Sequence, residues 1–188
     1  MIQAEYTDKE LVVDILANAF KNNKSVNYII TQDEKKEQRV RRLMEYSFGL
    51  CYRYGKVVLT TDKKACALIL FPDKKRISLY SICLDMYLVF SCIGLLNVKR
   101  AMERESKIKQ LQLKNNVYYL WFIGVYPVEQ NKGIGSMLLN NIINDAHEQQ
   151  RIICLETSTV RNIPWYEKFG FQIYDQLNLG YTLFFLKK

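Results

Sequence analysis

Apolar positions in this chain follow two alternating periods. Near the start, Leu11, Ile15, Leu16, Ala19 and Phe20 form a helical stripe behind Thr7-Asp8-Lys9-Glu10, which has the spacing of a capping box. A second helix is predicted over about 33–53, ending near Gly55. The period then shortens: Lys56-Val57-Val58-Leu59-Thr60-Thr61 and Ala65-Cys66-Ala67-Leu68-Ile69-Leu70-Phe71, joined by Asp62-Lys63-Lys64, read as a hairpin. Val117 to Tyr126, rich in β-branched and aromatic residues and closed by Pro127, is a further strand. Met137, Leu138, Ile142 and Ile143 return to helical spacing, with Asn140, Asn141, Asn144 and Asp145 between them. Ile152–Thr157, Phe171–Tyr174 and Tyr181–Leu186 complete a set of strands. No internal repeat or proline-rich linker interrupts this order, so 1–188 is expected to be one α/β domain.

The stretch from Ile77 to Val98 departs from both periods. It holds about twenty largely apolar residues, the length of a bilayer span. Asp85 near its middle, Ser78, Ser81 and Ser91 within it, and positive clusters at both ends argue against insertion. The expected structure is instead a pair of helices broken near Gly94, part of a helical insertion over 77–110 that walls one side of a pocket.

Chemistry concentrates at Gln130-Asn131-Lys132-Gly133-Ile134-Gly135, between the 117–126 strand and the helix after it. A helix start leaves about four backbone N–H groups unpaired and carries about half a unit of positive charge, a setting that binds phosphate. The glycines lie two apart and no Gly-Lys-Ser/Thr follows, so this is neither the dinucleotide fingerprint nor a Walker A loop. Gln-x-x-Gly-x-Gly in this setting resembles the pyrophosphate-binding signature of the GNAT family, the acetyl-CoA-dependent N-acetyltransferases. Asn162-Ile163-Pro164-Trp165-Tyr166-Glu167-Lys168-Phe169-Gly170-Phe171 resembles that family's other hallmark. The two motifs are separated by one helix and one strand, and together the resemblance covers about 117–186. The helical stretch before the cofactor strand and Leu155-Glu156-Thr157-Ser158 look like the puromycin-acetyltransferase group within the family.

The resemblance implies a central mixed, mostly antiparallel twisted sheet of six to seven strands flanked by helices. It implies that Gln130, Asn131, Lys132, Gly133, Ile134, Gly135 and Ser136 hold the pyrophosphate of acetyl-CoA. The strand edge at Phe122, Ile123 and Val125 would pair with the pantetheine amides, and the N–H of Val125 or Ile123 would face the thioester carbonyl. A bulge that splays this strand from its neighbour is expected at Gly124. Asn162 would bond the pantetheine arm. Tyr166 would be the general acid, because a phenol with its usual pKa near 10 stays protonated at neutral pH. The strand from Val117 to Tyr126 carries no carboxylate. Glu156 on the following strand is the one well-placed acid, as general base, as anchor of the acceptor ammonium or as a structural buried acid. Glu129 and His147 read as solvent-facing, and Cys154 as a small core residue, which favours direct transfer in a ternary complex over an acyl-cysteine.

Composition changes the picture only at its edges. An apolar content of 49% and an aromatic content of 13% support a real core. The five cysteines are scattered without a C-x-x-C pair, which argues against a disulfide framework or a metal site and for a reducing compartment. Met1-Ile2-Gln3-Ala4-Glu5 is polar and acidic, so no signal peptide is expected and the location reads as cytoplasmic. The formal charge of +8 admits a nucleic-acid binder, but no zinc-finger, RRM-type or basic-zipper pattern accompanies it. The leading expectation is an amine N-acetyltransferase, monomeric or homodimeric, that uses acetyl-CoA, a small-molecule or peptide amine and no metal. A non-catalytic acyl-CoA sensor of the same fold is the alternative.

Overall fold

The hairpin and the helical stripes assemble as their periods require. The computed structural model describes residues 1–188. A short strand β1 (Ile2–Gln3) is followed by a 3-10 turn at Tyr6–Asp8 and helix α1 (Lys9–Phe20). The cap differs from the Thr7–Glu10 box: the Asp8 carboxylate accepts the Glu5 N–H at 3.0 Å, upstream of the predicted pair. Asp8 is pinned there by Lys63 Nζ at 2.8 Å, a contact from the hairpin turn that the local sequence does not reveal. Helix α2 (Lys24–Ile29) was not foreseen. It is too short for a periodic signal, and its cue is Asn23, whose side chain accepts the Val26 N–H at 3.1 Å. Helix α3 (Lys36–Tyr54) then runs directly into β2 (Gly55–Leu59) and β3 (Ala65–Leu70).

Helix α4 (Leu79–Leu88) continues through a wide π-turn at Val89–Ile93. The chain breaks at Gly94, whose φ of 74° is left-handed, and resumes through a 3-10 turn as α5 (Val98–Leu111). The two helical segments meet at 101°, and no single helix is long and apolar enough to cross a membrane. Strand β4 (Val117–Val125), helix α6 (Ile134–Glu148), strand β5 (Ile152–Thr157), helix α7 (Ile163–Lys168) and strands β6 (Gln172–Asn178) and β7 (Thr182–Lys187) complete the chain.

The seven strands form one sheet in the order β1-β2-β3-β4-β5-β7-β6. Every neighbouring pair is antiparallel except β4 and β5. That parallel pair is brief: Val117, Tyr118 and Tyr119 face Ile152, Ile153 and Cys154, and the ladder stops there. From Leu120 onward β4 stays paired with β3 but leaves β5, and the sheet opens into a V. The register shift lies between Leu68 and Ile69, which pair with Phe122 and Leu120, so the extra residue is Trp121 and not Gly124. The bulge puts Trp121 and Phe122 on the same face, while Leu120 and Ile123 pack on the other. Gly124 has a packing role instead, since a Cβ there would lie 2.9 Å from Leu16 of α1.

Two cores flank the sheet. Helices α1, α2 and α3 cover one face with Val12, Ile15, Leu16, Leu43, Met44 and Phe48. Helices α6 and α7 cover the other with Leu138, Leu139, Ile142 and Tyr166. Helix α4 packs on α3, whereas Ile108 of α5 joins Leu183 and Phe185 of β7 in a separate small core. The α4–α5 pair therefore bridges the two arms of the V.

Candidate active site

A cavity of about 1530 Å³ fills the opening between β4 and β5. That exceeds the roughly 300–1,000 Å³ of a single-ligand pocket, which leaves space for two substrates together. One end is built by the glycine loop. Asn131 and Gly133 both adopt left-handed conformations, φ 64° and 80°, and Gly133 immediately precedes α6. A Cβ at Gly133 would meet nothing within 4 Å, so the backbone conformation demands glycine there, and the space before it is free for a ligand. Gly135 is the tight position, since a Cβ there would sit 3.2 Å from Val125. Trp165 donates its indole N–H to Ser136 Oγ at 3.0 Å, tying α7 to the first turn of α6.

The structure brings most of the predicted site residues into this one cavity. Phe122, Ile123, Val125, Gln130, Asn131, Gly133, Gly135, Ser136, Glu156, Asn162 and Tyr166 all line it, whereas Lys132 and Ile134 do not. Lys132 is turned to Glu129 at 3.2 Å, and Lys64 approaches the same carboxylate at 3.3 Å. Glu129 is therefore a paired, half-buried group rather than a solvent-facing one, and these hydrogen bonds hold its carboxyl below the usual range. His147 is exposed near the end of α6, and Cys154 is buried in the core.

Tyr166 packs against Trp165 and Phe171 in the α6–α7 core, and that burial pushes its phenol pKa up. Asn27 Oδ1 is the one fully buried side-chain polar atom without a partner, so the unbonded Tyr166 hydroxyl is not sealed off from the cavity that the residue lines. A neutral phenol with a free O–H facing a cleft can donate a proton or a hydrogen bond.

On the opposite wall, sequence reasoning pointed to Glu156 but missed the residues around it. Tyr119 donates its hydroxyl to Glu156, and Gln112 Nε2 donates to the same carboxylate at 2.8 Å. Burial raises the Glu156 pKa, and those two donors lower it only in part. Across the cavity, Tyr46 Oη donates to Asp85 at 2.8 Å. The Trp121 ring stands between the two tyrosines, with centroids 6.3 Å from each. Neither Asp85 nor Glu156 forms an ion pair, although the chain carries a formal charge of +8. Two carboxylates outside any ion pair, with Arg104 the cation that acts on Glu156, stand beside aromatic faces in an environment that attracts a further cation. The only sequence cue was Asp85, a lone acid in an apolar helix.

A sheet split into a V beside a glycine-loop helix, with an acid–aromatic wall across the gap, characterises this α/β fold. The fold is shared with solved acetyltransferases. Residues 91–173 match the family model described as an acetyltransferase (GNAT) domain. Among solved structures, the chain is similar to one described as histone acetyltransferase HPA2 and related acetyltransferase from Corynebacterium glutamicum. The TM-score is 0.71 at 20% identity, covering 100% of this chain and 93% of the other. An N-acetyltransferase from Staphylococcus aureus aligns with TM-score 0.61 at 16% identity over 99% and 98% of the two chains. The ribosomal-protein-S18-alanine N-acetyltransferase of Escherichia coli gives 0.53 at 16% identity, over 99% and 90%. These likenesses are of fold.

Proposed function

We propose that this chain transfers the acetyl group of acetyl-CoA to a primary amine of a small molecule or peptide, by direct attack in a ternary complex. The observation that carries this reading is the V itself. The unladdered edge of β4 from Leu120 to Val125 faces a cavity that joins the α6 loop to the Glu156–Asp85 wall. The glycine loop fits the donor, because Gly133 leaves open space before the start of a long helix. The N–H groups of 131–136 would hold its pyrophosphate, Ile123 and Val125 its pantetheine, and Asn162 the same arm. When bound, acetyl-CoA supplies an acetyl group activated as a thioester.

The protein's residues account for the remaining tasks. Asp85 and Glu156 hold the incoming ammonium through charge, and Glu156, whose pKa is raised by burial, takes the proton that the amine must lose. A backbone N–H on the free edge of β4 stabilises the oxyanion. Tyr166, kept protonated by burial, gives a proton to the departing thiolate.

Calorimetric titration of acetyl-CoA tests the reading. Saturable binding is expected for the native chain and none for a folded Gly133→Glu variant. Tyr166→Phe should keep binding and lose about a hundredfold or more in kcat with an amine acceptor. Binding without turnover of any amine in a broad library would instead support a sensor of the same fold. No binding by the folded native chain would sink both.

A further inference from the structure

Helix α4 is apolar around almost its whole circumference, yet only one side of it is covered. Ser81, Leu84 and Leu88 turn inward, and Asp85 turns to the cavity. At about 100° per residue, Leu79, Cys83, Met86 and Phe90 fall on one opposite line. Leu79 is 82% exposed, Met86 54% and Phe90 64%, and Leu96 at the Gly94 elbow is 99% exposed. Ile77 and Ile82 extend this face to the cavity mouth, where they line both. Single exposed apolar residues need no explanation, but a continuous face of them marks an interaction surface.

We propose that the outer face of α4 and the Gly94 elbow dock on the surface of an anionic lipid bilayer. The charge distribution selects this occupant. Lys74, Lys75 and Arg76 immediately precede the apolar face, and Lys99 and Arg100 immediately follow it, all of them exposed. The nearby acids are largely engaged or face elsewhere: Asp73 pairs with Arg151, Asp85 bonds Tyr46, Glu45 accepts from Tyr87 at 2.6 Å, and Glu105 approaches Lys109, leaving Glu103 on α5. Among the cations, Arg100 also donates to the Tyr28 carbonyl at 2.8 Å. An apolar helix face between two cationic ends is the pattern of interfacial adsorption, where basic residues meet lipid phosphates and apolar ones enter the acyl boundary. The 101° bend at the elbow rules out one straight span and suits a helix lying flat. A second copy is a poorer occupant, because a two-fold contact sets this patch against itself. With cations at both ends, either direction of self-pairing brings like charges together.

Co-sedimentation of the full chain with vesicles tests the proposal. Vesicles of phosphatidylcholine containing phosphatidylserine should pull the protein down, and phosphatidylcholine alone should not. The double substitution Met86→Ser with Phe90→Ser should weaken binding about tenfold or more while leaving acetyl-CoA titration unchanged, so this surface and the cofactor site are read separately. A Phe90→Trp variant should show blue-shifted fluorescence that brominated lipid quenches. Three results would overturn the proposal: no sedimentation with anionic vesicles, sedimentation unaffected by the double substitution, or a dimer in light scattering that the double substitution dissolves.

Discussion

Tyr46 and Tyr119 each give their hydroxyl to a carboxylate that lines the cavity. A phenol that donates to a carboxylate stabilises its ionised form, so Tyr119 opposes the upward push of burial on Glu156. The Tyr119→Phe variant removes that opposition, and the Glu156 pKa should rise further. If Glu156 is the base, the acidic limb of kcat/KM against pH lies above the ordinary glutamate range in the native enzyme and moves to still higher pH in Tyr119→Phe. In Glu156→Gln that limb should disappear and kcat/KM should fall about a hundredfold or more. A limb unmoved in both variants would leave Glu156 as an anchor of the acceptor only. Glu156 and Tyr166 were legible because one stands on a short strand and the other within a motif. Asp85, Tyr46, Trp121 and Gln112 were not, since they come from α4, α3, β4 and the end of α5, and nothing local marks their meeting.

At the scale of elements, strongly periodic segments were read correctly and the junctions between them were not. The hairpin, strand β4 and helix α6 carry their own periods, so their fold needs no distant information. The bulge did not: Gly124 looked like the irregular position, yet its missing side chain serves the approach of Leu16, and the extra residue is the bulky Trp121. The junction of α3 with β2 shows how a contact can decide a residue. Gly55 has an extended φ of −160° that any residue tolerates. A Cβ there, however, would lie 1.9 Å from the Ile69 carbonyl oxygen and 2.9 Å from Leu70 Cα. Both are backbone atoms of the paired strand and cannot rotate aside. Gly55→Ala should therefore destabilise the fold by about 1–3 kcal/mol, read as a lower urea midpoint, because the β2–β3 ladder must move. An unchanged midpoint would mean that the hairpin yields at no cost.

For the molecule as a whole, the glycine loop is only as well placed as the helix behind it, and α6 is anchored far from that loop. Asp145 accepts Lys56 Nζ at 2.8 Å on both oxygens, the Tyr118 hydroxyl at 2.6 Å and Gln149 Nε2 at 2.9 Å. One carboxylate thus ties α6 to β2 and β4, about 18 Å along the helix from Gly133. Burial alone would raise the Asp145 pKa, but Lys56, Tyr118 and Gln149 outweigh it and hold the carboxyl below its ordinary value. Since the folded group titrates below the unfolded one, its stabilisation is complete above the usual aspartate range and is lost as pH falls through the folded value. Asp145→Asn should cost about 2 kcal/mol at neutral pH, because Lys56 keeps its charge without a partner. The same variant should flatten the acid arm of a stability profile measured by urea unfolding from neutral to strongly acid pH. Acetyl-CoA binding should survive the substitution, since the glycine loop and Trp165–Ser136 contact stand at the other end of the helix. Saturating ligand should then restore part of the lost stability by mass action. A variant that loses binding at a pH where it remains folded would show instead that the anchor transmits strain to the loop.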